Sequence, residues 1–219
     1  MLQPSTLKFL KDLAKNNNKP WFEKNKKTYE SAKVDFENFV TAVLEKLGKS
    51  EPAFKELKAK DCIFRIYRDV RFSKDKSPYK SNFGASFSKG GKKHMAAGYY
   101  LHVEPGKTFL GGGMWMPEPD MLKKIRQEVD YNFKDFQKIV NSAAFKKTFG
   151  KLSEEDKLKK VPKGYTDDNP AVEYLKLKSF VAGSKADDKD LMDKTAVTKV
   201  TGVFSTMKPL IDFLNEAAD

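Results

Sequence analysis

The chain of 219 residues carries 42 lysines and arginines against 30 acids, a formal net charge of +12, and is 39% hydrophobic with 17 phenylalanines. That length suits one domain, and the apolar content supplies a core, so disorder is excluded for the bulk of the chain. No apolar run approaches the ~18 residues that span a bilayer, and a single cysteine, Cys62, excludes an internal disulfide.

In chain order, Leu7, Leu10 and Leu13 place a helix over residues 5–17 that ends in Asn16-Asn17-Asn18. This segment lacks the long apolar stretch of a signal peptide, and with one thiol the expected compartment is a reducing cytoplasm. Pro20 opens a second helix that runs to about Leu47, where Gly48 closes it, so residues 1–48 form a helical pair covering a sheet.

Residues 62–116 then alternate as strands do, over Ile63–Phe72, Asn82–Ser88, Ala97–Glu104 and Lys107–Met116. Pro105-Gly106 fits a two-residue turn. Counting back from it, Glu104 faces Lys107, His102 faces Phe109, Tyr100 faces Gly111 and Tyr99 faces Gly112. Residues 119–219 are mainly helical, with helices over Pro119–Val129 and Asn132–Val140, then an irregular lysine-rich stretch through Val161-Pro162-Lys163-Gly164-Tyr165. Asn169-Pro170 opens a short helix, and Ser179–Gly183 is one candidate further strand. Val197 to Leu214 repeats helically, with Pro209 dividing two helices. Helices, a strand block and helices again give an α+β single domain. Its sheet is mainly antiparallel, of four to five strands or more, flanked by N-terminal and C-terminal helices.

Of the 42 basic residues only four are arginines, Arg65, Arg68, Arg71 and Arg126, and three of them fall within seven residues. A guanidinium grips carboxylate or phosphate with a planar fork, whereas lysine is a point charge. From Lys60 to Lys93 ten bases face three acids, a local net of +7. Alternation through Ile63–Phe72 puts Arg65, Tyr67, Asp69 and Arg71 on one face, with Phe64, Ile66, Val70 and Phe72 on the other. Arg68 is the misfit, which a bulge near Arg68-Asp69 would resolve. The loop Ser73–Lys80 brings Lys74, Lys76 and Lys80 over an anion held by Arg65 and Arg71, but it lacks the glycines of a phosphate-cradling loop. The bland alternatives are ion pairing with Asp69 and a solvated basic loop.

Gly111-Gly112-Gly113 lies inside a strand and is not a nucleotide loop. Tyrosine rings over strand glycines, a close backbone approach or a ligand floor each explain it, and Trp115 is either a stacking wall or core. His102 shares a face with Tyr100 and Glu104, which allows a His–Glu pair. No H-x-H, H-E-x-x-H or C-x-x-C spacing exists, so no metal or cofactor is implied. Cys62 reads as a buried inert thiol and His94 as solvated.

RIYRDVRFSKDKSPYKSNF, the strand ending GGGMWMPEP, the VPKGY turn and LKLKSF resemble the family catalogued as domain of unknown function 2461, from Leu7 to Ala217. The resemblance implies one intact domain and carries over no catalytic residues. It marks Arg65, Tyr67, Arg68, Asp69, Arg71, Phe72, Ser77, Pro78, Tyr79, Lys80, Gly112, Trp115, Pro117 and Arg126.

The resulting expectation is a pocket for a small phosphate- or carboxylate-bearing ligand. Arg65, Arg71 and Arg126 hold the anion, Tyr67 and Trp115 form the wall, and Tyr79 and Lys80 form the lid. Asp69 or Glu104 would be the base if a reaction follows. Two readings compete with it. One is a nucleic-acid module built on segment 60–93, with Tyr67, Tyr79 and Phe83 for stacking. The other is a structural ion-pair network that binds nothing.

Overall fold

The computed structural model describes residues 1–217, so the last two residues of the 119–219 region lie outside the described residues. The architecture is α+β. The helices among the described residues are α1 (Pro4–Lys15), α2 (Lys19–Lys24), α3 (Lys26–Leu47), α4 (Ala59–Cys62), α5 (Pro119–Tyr131), α6 (Phe133–Val140), α7 (Ala143–Phe149), α8 (Val172–Leu175), α9 (Asp188–Met192) and α10 (Ala196–Glu216). The strands β1 (Phe83–Ser88), β2 (Gly98–Val103), β3 (Phe109–Met114) and β4 (Phe180–Lys185) form one antiparallel sheet in the order β1-β2-β3-β4. No helix among them is long and apolar enough to cross a membrane.

Two compact units are delineated along the chain. The first comprises Met1–His94, Tyr100–Leu110 and Lys185–Gly202; the second comprises Met95–Tyr99, Gly111–Ser184 and the residues from Val203 onward. In the first, the helical faces predicted by spacing are buried. Leu7, Leu10 and Leu13 of α1 are buried, as are Phe36, Phe39, Val40 and Val43 of α3, the helix that α1 contacts, and Phe36 stacks on Phe83 of β1 at 5.1 Å. Emptying one such buried phenylalanine to alanine costs about 3–5 kcal/mol. The second helix is not continuous from Pro20. It breaks at Asn25, and Asn18 caps α2 by accepting from Trp21 N–H at 3.0 Å. Gly48 follows α3 in ordinary helical conformation, so its left-handed freedom is not used there.

The register expected for β2 and β3 is observed. His102 stacks on Phe109 at 4.7 Å, and Gly112 lies against the backbone of Tyr99. The glycine triplet serves the close approach of another backbone rather than rings above it. A Cβ on Gly111 would stand 2.7 Å from Ala182 O, and one on Gly113, at φ 118°, would collide with Phe180 O. Both carbonyls belong to β4. The Tyr100 ring instead covers Gly84, whose missing Cβ leaves room for the phenol oxygen.

Two further expectations fail. Residues 63–72 do not form a strand: isolated antiparallel bridges link Ile63 to Ala85 and Tyr67 to Tyr79. Phe64 N–H donates to Gly84 O, Arg68 N–H to Pro78 O and Lys80 N–H to Ile66 O. Beyond Arg68 the aspartates divert the backbone. Asp69 accepts from Arg71 N–H and Asp75 from Ser77 N–H, and such local bonds compete with a strand ladder. Phe72, expected on an apolar face, is 95% exposed. The other failure is Pro209, which lies inside α10 without dividing it. The apolar stripe on either side of it, Phe204, Met207, Leu210, Ile211 and Leu214, is buried in one continuous line. Tertiary packing offsets the lost backbone bond.

Candidate functional site

In the first unit a cleft of about 300 Å³ opens among Asn17, Arg68, Asp75, Ser77, Tyr79, Lys80, Ser81 and Asn82. Its wall is set by the asparagine break after α1. Asn17 Nδ2 donates to Tyr79 O at 2.8 Å, while its Oδ1 accepts from Tyr79 N–H at 3.1 Å. Tyr79 in turn stacks on Phe22 of α2 at 3.9 Å and packs against Tyr67 at 5.4 Å. The segment 78–82 is therefore held from both sides, and its side chains point from a fixed backbone.

Beside the paired Arg68 and Asp75, the cleft carries the charge of Lys80. Lys80 is half-buried and meets no carboxylate within ion-pair distance among the described residues; its ammonium lies 5.5 Å from the Phe64 ring centre. Burial, and then the neighbouring Arg65 cation, hold its pKa below the ordinary lysine value. Arg65 is exposed and likewise meets no carboxylate within ion-pair distance among the described residues.

The polar wall is organised by two carboxylates. Asp75 accepts from the Ser77 hydroxyl at 2.6 Å and from Ser77 N–H at 2.9 Å, and is ion-paired to Arg68. Those groups, Ser77 first, hold it well below the usual carboxylate range. Glu104 accepts from Ser81 Oγ at 2.9 Å on one oxygen and from His102 Nε2 at 3.2 Å on the other. Burial pushes its pKa up, but His102, Ser81 and Lys107 outweigh burial and leave it lowered. Since an ionised carboxylate only accepts, His102 carries its proton on Nε2 when neutral. Its Nδ1 then accepts from Tyr100 Oη at 3.2 Å and from Asn82 Nδ2 at 3.4 Å.

The structure brings together only part of the expected set. Tyr79 and Lys80 line the cleft, with Arg65 beside Lys80 and Tyr67 behind Tyr79. Glu104 stands behind Ser81. Arg71 forms a two-pronged pair with Asp69, closest at 2.6 Å, on an exposed loop, and neither residue lines the cleft. Hydrogen bonds from Arg71 hold Asp69 below its ordinary pKa. Trp115 and Arg126 belong to the second unit. Trp115 is 75% exposed. Arg126 donates from Nη2 to Leu177 O at 3.0 Å, its Nε is buried without a hydrogen-bond partner, and burial lowers its pKa. Arg68, clustered with the other arginines in the sequence, lines the cleft but is paired to Asp75, whereas sequence reasoning gave Asn17, Asp75, Ser77, Ser81 and Asn82 no role in the site. The Asp-x-Ser spacing of Asp75-Lys76-Ser77 is a recognisable turn signal. The Asn17 clamp, 62 residues from its partner, has none.

A family model described as conserved hypothetical protein (DUF2461) matches residues 5–213, and the chain belongs to that family. None of the curated proteins and none of the solved structures compared with it matches the chain.

Proposed function

We propose that this protein binds a small anionic ligand, phosphate- or carboxylate-bearing, in the cleft at Lys80. The observation that carries the reading is a desolvated ammonium with no carboxylate partner among the described residues, lining a cleft and standing next to a second cation, Arg65. A buried charge costs free energy unless an opposite charge joins it, and a bound anion supplies that charge. Arg68 frames the opening through Asp75 instead of gripping the ligand. Neither Asp69 nor Glu104 is offered to a ligand as a base, because Arg71 holds the one and Ser81 with His102 hold the other. The single buried thiol suits a reducing compartment, in keeping with work in the cytoplasm. Thermal-shift and calorimetric titrations with inorganic phosphate, nucleotides and sugar acids test the reading. Stabilisation of the wild type but not of Lys80→Met is expected; equal behaviour of the two proteins refutes it.

A second reading has one observation in its favour. Phe72 is 95% exposed on a loop with Arg71 over its ring at 5.8 Å and with Lys74 and Lys76 exposed. An aromatic platform among cations suits stacking of single-stranded nucleic acid. A gel-shift series in rising salt separates this reading from the first, since no shift in dilute buffer removes it.

A further inference from the structure

The hydrogen-bond polarity of the cleft wall restricts the ligand further, on the premise that the anion sits at Lys80. Ser81 has one hydroxyl proton, and it points to Glu104. Ser77 has one hydroxyl proton, and it points to Asp75. Carboxylates accept only, so neither serine can turn round and keep its bond. Both oxygens therefore meet the cleft with lone pairs alone. Asn17 spends its oxygen and one amide N–H on the backbone of Tyr79, which leaves a single N–H beside these acceptors. The wall thus presents cationic donors at Lys80, beside the acid-paired Arg68, and a set of acceptors at Ser77, Ser81 and Asp75. A bare phosphate or a simple carboxylate satisfies the first and is opposed by the second.

We propose that the ligand joins its anionic group to several hydroxyl donors, and so belongs to the class of sugar phosphates and sugar acids. Lys80 takes the phosphate or carboxylate, while Ser77 and Ser81 accept from its hydroxyls. Glu104 and His102 are positioning residues. The imidazole Nε2–H fixes one carboxylate oxygen, which leaves the other to hold the Ser81 proton out of the cleft.

The test is calorimetric titration of the full chain with two monoesters of equal charge, methyl phosphate and ribose 5-phosphate. At least tenfold tighter binding of ribose 5-phosphate is expected, and Ser81→Ala and Ser77→Ala should each shrink that ratio severalfold. Glu104→Gln is the sharper variant because it conserves shape. Its carbonyl can still accept from His102 while its amide donates to Ser81, which turns the serine proton toward the cleft. Methyl phosphate should then bind more tightly and the preference for ribose 5-phosphate should fall, a change that a merely structural role for Glu104 would not produce. If the two monoesters bind the wild type equally, or if Glu104→Gln leaves their ratio unchanged, the inference fails and the anion site at Lys80 stands. If neither binds and Lys80→Met behaves as wild type, both readings fall together.

Discussion

Asn17 and Tyr79, 62 residues apart, are paired through both ends of the asparagine amide and both polar groups of the tyrosine backbone, at 2.8 and 3.1 Å. The side chain acts as one rung of a strand ladder and carries the ordering of the α1–α2 junction into the cleft wall. Asn17→Ala orphans a part-buried N–H and C=O, so a loss of about 1–3 kcal/mol in urea unfolding is expected. Amide exchange at Tyr79 should accelerate with it. An unchanged midpoint would mean that water replaces the amide at no cost.

Lys80→Met should leave thermal stability equal to or above wild type, because the folded state disfavours the ammonium. The sign follows from the lowered pKa. The folded protein binds the Lys80 proton less readily than the unfolded chain, so the charged residue opposes folding at neutral pH and the opposition fades in alkali. A melting temperature that drops on substitution would contradict this.

Asp75 organises residues 73–77 through Ser77 and Arg68. Its folded pKa lies below its unfolded one, so the stabilisation is full above the ordinary aspartate value and disappears only as pH falls through the depressed value. Protection of the Ser77 amide in hydrogen exchange, compared with Asp75→Asn, should therefore persist at pH 4. Loss of that protection near pH 5 would show that Asp75 is not its source.

Gly113 and Gly106 share positive φ but not surroundings. An alanine at 113 takes up a strained φ of 118° and drives its Cβ into Phe180 O, whereas one at 106, at φ 76°, meets open space. Gly113→Ala should cost 3 kcal/mol or more, at the level of ~1–3 kcal/mol for the backbone strain plus the collision. Gly106→Ala should cost only about 1 kcal/mol. Equal denaturation midpoints for the two variants would refute the close approach of β4.

The Cys62 thiol is fully buried, and burial, with the Asp61 charge, raises its pKa to about 11. It should resist a thiol-specific disulfide reagent at pH 8 in the native protein and react once per chain in denaturant. Rapid native labelling would mean that α4 opens.

Much was legible in the chain before any coordinates. Period-3.6 apolar spacing placed α1, α3, α5 and α6 because helical neighbours repeat locally. Pro105-Gly106 fixed the pairing of β2 with β3 because a short turn leaves one register. Alternation misread residues 63–72, where Asp69 captures the Arg71 N–H that a strand would have used. It also could not weigh Pro209 against the buried stripe that carries α10 through it.

For the candidate site the division is sharper. Composition by itself determined that guanidinium groups are scarce and clustered, and the resemblance of RIYRDVRFSKDKSPYKSNF to one family was readable there. Only the tertiary structure decided that Arg68 and Arg71 face acids in their own loop, that Lys80 meets no such acid among the described residues, and that Ser81 meets a glutamate 23 residues away. The reason is that a charge's role depends on what stands within a few ångströms of it. Chain position fixes that distance for neighbours along a helix or turn, and folding fixes it for every other pair.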